Sequence, residues 1–519
     1  MDKCSISVTP RVGDVPARPG SARTRLALAK VAIAVLLSAA VGLASAQSIT
    51  MAMAAQPDML DPQITSATAA FQVSKSLYDT LVEVDQSGNI VPALASEYSV
   101  SDDGLAYTFT LVETTFHDGT DFDSTDVVAS IERIMDEATA SPKASEYAAV
   151  TGVEAPDEHT VVVNLSQPTP ALLATLASGW GAILPSEKLA EGHDFGNQPV
   201  GTGPFVFVQW QRDNALTMSA NPDYYRGAPT IDEVVIRFVP DSAVQLQGLV
   251  TGEFDIIDTV AAEDREQVDA NPELALVTDP SGLALVAALN TRHEFLSDPR
   301  VRQALNYAVD SQVVLDVAYG GGTPIGTFME AGSPWLPDDV EAYPYDPEQA
   351  KALLAEAGVP DGWTLQMALP QPYEQHIQAG QVVQDFLSEV GVASEIRIVE
   401  WGVWLSDVYG GGHDYDITVI GHTGKLDPTG RLDGYGTEAD NYPGYDDPEV
   451  AQWLLDGASE SDQDARRGVY GNVLRRLHDN APFIYFGTPD RVHGRQANLE
   501  GFWITPMLDS FDFRSVSVN

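Results

Sequence analysis

Residues 200–241 read VGTGPFVFVQWQRDNALTMSANPDYYRGAPTIDEVVIRFVPD. Gly201, Gly203 and Pro204 make a sharp entry, because glycine tolerates positive φ and proline fixes its own. From there Phe205, Phe207 and Gln209 alternate with Val206, Val208 and Trp210, the two-residue period of a β-strand. Leu216 and Met218 suggest its hairpin partner. Asn221-Pro222-Asp223 and Arg226-Gly227-Ala228-Pro229 carry turn chemistry, and Ile231 to Val239 returns to a β-branched strand ending at Pro240.

At 519 residues the chain exceeds one ordinary core, so two or three lobes are expected. Arg23, Arg25 and Lys30 precede an apolar run from Val31 to Leu43, followed by Ala44-Ser45-Ala46. This pattern reads as a secretory signal peptide over 1–46, cleaved near Ala46, with an apolar run too short to span a bilayer comfortably. Cys4, the single cysteine, lies inside it. The mature chain is therefore expected to carry no disulfide, no thiol nucleophile and no lipid-bearing cysteine, and to reside free in the periplasm. Residues 1–46 hold six basic and two acidic residues, so their removal takes the net charge from −47 to −51. Such a surface repels nucleic acid and anionic lipid. Its acids are scattered, as on a solvated face adapted to salt, with attraction of cationic ligands as the alternative.

The wording GTGPF, Trp210, NPDYYRGAP and IDEVVIRFVPD resembles the family 5 solute-binding proteins of ABC transporters, the large peptide- and nickel-binding type. FHDGT at Phe116–Thr120 and GEFD at Gly252–Asp255 are similar to that family as well. The resemblance implies a two-lobed α/β periplasmic-binding-protein (Venus-flytrap) fold of the large cluster-C type. Its parts would be a first lobe built from 47–84, 200–284 and 487–519, an inserted extra domain over 85–199, and a second lobe over 285–486. Asn290 would lie where the chain crosses into the second lobe, and Phe483 to Gly487 at its return.

The residues themselves support helices and strands in a suitable order. Phe71 to Leu81 has one helical apolar face. Ser124 or Thr125 caps a helix with the buried stripe Val127, Val128, Ile131 and Ile134, which explains Asp121, Asp123 and Asp126 better than a calcium loop lacking its glycine and terminal glutamate. Asp298 with Pro299, and Asp346 with Pro347 and Gln349, mark two further helix starts. After residue 360 strands and helices alternate, implying a mostly parallel sheet with helices on its faces.

Ligands of open α/β sheets bind beyond the carboxyl ends of the strands, which points to 370–373, 400–404 and 421–432. In the last, GHTGKLDPTGRL, Gly421 and Gly424 permit close approach, while His422, Thr423, Lys425 and Asp427 supply polar groups. By resemblance, dipeptide-binding members grip an ammonium with an aspartate just before a D-P pair and a carboxylate with an arginine before P-Y. Here those positions hold Lys425 and Gln371, so an anionic or hydroxyl-rich ligand suits the loop better. An exposed Lys425 paired with Asp427 is the competing reading. Tyr373, Trp401, Trp404 and Tyr435 offer stacking walls, and Arg431 offers a cation more readily satisfied by a salt bridge. By resemblance Thr68, Ala69 and Phe71 sit near the cleft from the first lobe.

There is no G-x-S-x-G elbow, H-E-x-x-H or P-loop, and the histidines show no metal spacing. The expectation is a monomeric, non-enzymatic receptor with no cofactor, delivering a small-molecule or peptide-like solute to an ABC permease with separate ATPase subunits. An oligosaccharide or sugar-conjugate ligand and a secreted hydrolase are the alternatives.

Overall fold

The computed structural model describes residues 47–519 except 372, 411 and 507–509, so residues 1–46 with Cys4, and the signal-peptide expectation placed on them, lie outside the described residues. β1 (Ser48–Met53) leads to α1 (Thr68–Leu77). This helix starts and stops earlier than its apolar spacing predicts. Tyr78 turns extended, with φ −131° and ψ 148°, and Leu81 packs into the core of the next unit instead.

That unit is an antiparallel sheet of β2 (Ala95–Val100), β3 (Ala106–Leu111), β4 (Val150–Asp157) and β5 (Thr160–Leu165), paired β2-β3-β5-β4. α2 (Ser124–Met135) packs on it. Its cap is Asp123 rather than Ser124 or Thr125: the Thr125 N–H donates to Asp123 at 2.7 Å, and the Asp123 N–H donates to Asp126 at 2.9 Å. The acidic run is thus a capping box.

β6 (Phe205–Gln211), β7 (Ala215–Ala220) and β8 (Glu233–Phe238) form an antiparallel meander, with β8 running parallel to β1. A Cβ on Gly201 or Gly203 would lie 2.2 and 2.5 Å from Leu77 backbone atoms, so only glycine lets the chain pass the end of α1. β9 (Ile256–Ile257) flanks β1 on its other side.

β10 (Leu274–Pro280) and β11 (Ala284–Leu289) carry the chain into the second lobe. There α3 (Pro299–Ala308) is capped by Asp298, and α4 (Pro347–Glu356) by Asp346, which accepts from the Gln349 N–H at 2.9 Å. β12 (Thr364–Pro370), α5 (Glu374–Glu389), β13 (Ala393–Val399), β14 (Ile417–His422), α6 (Gln463–Asn480) and β15 (Phe483–Gln496) follow. The large strands join one sheet in the order β13-β12-β14-β11-β15-β9-β1-β8-β7-β6. Its second-lobe part is mixed rather than mostly parallel. β12 pairs parallel with β13 and β14, but β11 runs antiparallel to β14 and β15, because β11 enters from the first lobe and β15 runs out toward it, neither joined to its neighbour by a helical crossover.

β15 serves both halves of this sheet: its start pairs with β11 and its end with β10. The two passages between halves are residues 281–283 and Pro489, tied by the Ser281 N–H donating to the Pro489 carbonyl at 3.0 Å. Asn290 lies away from them at the far end of β11, where its amide donates to the Tyr415 carbonyl at 2.9 Å. The side chains of β11 alternate between two cores, Leu285, Ala287 and Leu289 in one and Ala284, Val286 and Ala288 in the other. A separate core under β1 gathers Ile49, Met51, Met53, Phe205, Leu216 and Met218. The architecture is α/β and two-lobed. No helix among the described residues is long and apolar enough to cross a membrane.

Candidate functional site

The carboxyl ends of β12, β13 and β14 open onto a groove of about 1090 Å³ that runs to the interlobe passages. Tyr373, His376, Trp401, Tyr409, His422 and Thr423 line its second-lobe side; Val260, Arg265 and Arg491 line the side near the passages. A second hollow of about 420 Å³ continues from Tyr409, His422 and Thr423 to Lys425, Arg431 and Tyr442.

Aromatic rings connect the two. Tyr373 meets Trp401 edge-on at 5.1 Å, Trp401 stacks on Trp404 at 5.1 Å and 6°, Trp404 on Tyr409 at 5.7 Å and 22°, and Tyr409 reaches Tyr442 at 5.1 Å. Local sequence explains the seam. Glu400 caps the turn after β13 by accepting from the Gly402 and Val403 N–H groups, which places Trp401 and Trp404 three residues apart on one side. Trp404 is buried and donates its indole N–H to Thr418 at 2.9 Å, so it backs the wall, whereas Tyr373 and Tyr409 are exposed. Such a seam suits flat or apolar ligand parts.

The polar end is built by 421–432. His422 Nε2 pairs with the Tyr442 hydroxyl at 2.9 Å. Burial, then the charges of Arg431 and His376, lower the His422 pKa to about 3, so the ring is neutral at physiological pH. His376, against the Tyr319 hydroxyl at 2.8 Å, is lowered to about 4 by burial. Arg431 is buried and ion-paired to buried Glu330 at 2.8 Å, with a further bond from its guanidinium to the Thr423 carbonyl at 2.9 Å. Burial pushes the Glu330 carboxyl up, against the opposing charge of Arg431.

Asp427 departs from its expected role. Both carboxylate oxygens are taken by Arg466, at 2.6 and 2.9 Å, in a buried bidentate pair, and one also accepts from the Thr429 N–H. Asp427 therefore braces the loop instead of facing a solute, and it does not pair with Lys425. Lys425 is exposed and has no carboxylate partner among the described residues. Gln371 is exposed and lines neither hollow; its N–H bonds the Val399 carbonyl at 2.8 Å. Thr68 is exposed at the start of α1, while Ala69 is buried. Phe71 is buried under Trp180, ring centroids 4.1 Å apart. These three line neither of the two hollows. Tyr409, Tyr442 and His376 escaped the sequence reading; only proximity to the strand ends in sequence could have flagged them, and Tyr442 lacks even that. Among the described residues no three His, Cys, Asp or Glu side chains converge as metal ligands.

Residues 89–443 match the family described as "Bacterial extracellular solute-binding proteins, family 5 Middle". The chain belongs to that family. It is 31% identical to a "Probable di/tripeptide-binding protein 5" of Pseudomonas aeruginosa, over 92% of this chain and 96% of the relative. Among solved structures it is similar to HbpA2 of Haemophilus parasuis, at 26% identity and a TM-score of 0.83, covering 91% of this chain and 100% of that one. It is also similar to AgaA of A. tumefaciens R10 in complex with agropinic acid, at 30% identity and a TM-score of 0.68, covering 91% and 99%. The family, the Pseudomonas relative and AgaA are binding proteins, and the two-lobed fold described above is that of the periplasmic binding proteins.

Proposed function

We propose that this family 5 member is the periplasmic capture subunit of an ABC importer, taking a peptide-like or amino-acid-derived solute between its lobes. The observation that carries this reading is the aromatic seam leading from the interlobe groove into a polar hollow, on the fold of a family with a relative named for di- and tripeptides. Tyr373, Trp401, His422, Thr423 and Lys425 form the second-lobe contact surface. Thr68, Ala69 and Phe71 belong to the facing lobe and Gln371 to the rim; residues 85–199 form the inserted domain. Rotation about 281–283 and Pro489 closes the groove on the solute and shifts the population toward the form a permease recognises. The chain works as a monomer, and ATP is hydrolysed by separate subunits.

The likeness to a structure holding agropinic acid favours a second reading, an organic acid or sugar-conjugate solute in the same groove. Calorimetry with trialanine and with monosaccharide and amino-acid controls separates these, read alongside tryptophan fluorescence from Trp401. Saturable binding with one solute per chain and no product by mass spectrometry is expected; a hydrolysed product overturns the receptor reading.

A further inference from the structure

Five lysines fall among the described residues: Lys75, Lys143, Lys188, Lys351 and Lys425. Four of them reach a carboxylate, as expected where 75 acids face 28 bases. Lys425 alone reaches none. It is also held in place. A Cβ on Gly430 would lie 3.5 Å from the Lys425 stem, the next residue Leu426 is buried in the core of the four-stranded unit, and the Trp335 indole N–H clamps the Leu426 carbonyl at 3.0 Å. Lys425 thus projects from a fixed loop into the polar hollow, beside Arg431, whose buried Nε and one Nη have no hydrogen-bond partner.

Lys143, from the facing four-stranded unit, has its ammonium 4.7 Å over the Trp180 ring and pairs with Glu146. We propose that the solute carries an anionic group of the carboxylate class, seated between Lys425 of the second lobe and Lys143 of the four-stranded unit, with Lys425 as the residue that selects for it. This rests on the receptor reading above and names the class of solute.

The surrounding charges agree. Burial first, then the charge of Lys143, lowers the Lys425 pKa; Glu146 opposes and Arg431 adds to the lowering. Asp433 and Asp440 line the same hollow, and neither forms an ion pair with Lys425. On an empty or neutral-filled cleft Glu146 is committed to Lys143, and Lys425 is left without a carboxylate of its own. An anion supplies that missing partner, which makes closure selective.

Calorimetry with two pairs of peptides tests this: trialanine against its C-terminal amide, and Ala-Glu-Ala against Ala-Gln-Ala. Succinate serves as a non-peptide anion, read by protection of Lys425 from acetic anhydride in mass spectrometry. In the wild type at least one acid member should bind about tenfold tighter than its neutral twin. Lys425→Arg should keep that preference, Lys425→Gln should reduce it to about twofold or less, and Lys143→Gln should fall between. Twins that bind equally, or a preference that survives Lys425→Gln, overturn the anion seat while peptide binding still supports the receptor. If no peptide binds, the peptide reading falls; protection of Lys425 by succinate then upholds the anion seat, and no protection overturns it as well.

Discussion

Beneath α1, Glu83 meets Lys75 at 3.0 Å, Arg514 at 3.1 Å and Arg226; Asp512 takes Arg514 at 2.6 Å; and Asp79 accepts from the Tyr224 and Thr202 hydroxyls at 3.0 and 3.1 Å. In the loop 421–432, Asp427 is closed off by Arg466 in the same manner, yet Lys425, two residues earlier, meets no carboxylate among the described residues. The first region spends its charges on each other and so fixes the relation of α1 to the segments around it. The second keeps one charge on a packed loop and open toward the polar hollow. Among the described lysines pairing is the rule, and Lys425, the exception, is where the proposed anion would dock.

Four variants can break or sharpen this contrast. Arg466→Met should cost the most, about 3–5 kcal/mol in urea unfolding, because it strands the Asp427 carboxylate in the interior. A loss under about 1 kcal/mol would mean that the brace is not structural. Glu83→Gln comes next. Burial pushes the Glu83 carboxyl up, but Lys75, Arg514 and Arg226 prevail and hold it at about 2. A depressed carboxylate stabilises above its ordinary value of 4.5 and loses that contribution as pH falls toward 2. The wild type should lose on the order of 3 kcal/mol across that window, and the variant should lack that part of the slope.

Asp79→Asn tests the opposite sign. Burial, then the Glu83 charge, raises Asp79 to about 6 against the two hydroxyl bonds. Its contribution is full below 3.8 and is lost as pH rises through about 6, so the variant should flatten the stability profile in that window. Both hydroxyls can pair with an amide, so slope should change more than overall stability. Lys425→Gln should leave unfolding unchanged to within about 0.5 kcal/mol. A larger loss would move Lys425 into the framework and dissolve the comparison.

What the sequence made legible was local. Asp298-Pro299 and Asp346-Pro347 announce their helices because a cap and its recipient N–H lie within three residues. The meander after Gly201 reads from its two-residue period. Contacts spanning long stretches of chain stayed hidden: the Asp427–Arg466 pair joins residues 39 apart, and α1 was misplaced because Leu81 answers to a different core. The direction of β11 and β15 was hidden for the same reason, since periodicity carries no sign of which neighbour a strand joins. Of the residues lining the two hollows, Lys425 and Trp401 were readable from the strand ends, while Tyr442 enters through a loop that returns from further along the chain.

β15 also governs when the protein can finish folding. It is the central strand shared by both halves of the sheet, and it follows every other strand of that sheet along the chain. Until it emerges, β11 and β9 each lack one neighbour and β10 lacks its partner, so the two halves cannot join early. The large sheet is thus completed only by β15, whereas the four-stranded unit, whose sheet and core contain no part of β15, has no need to wait for it.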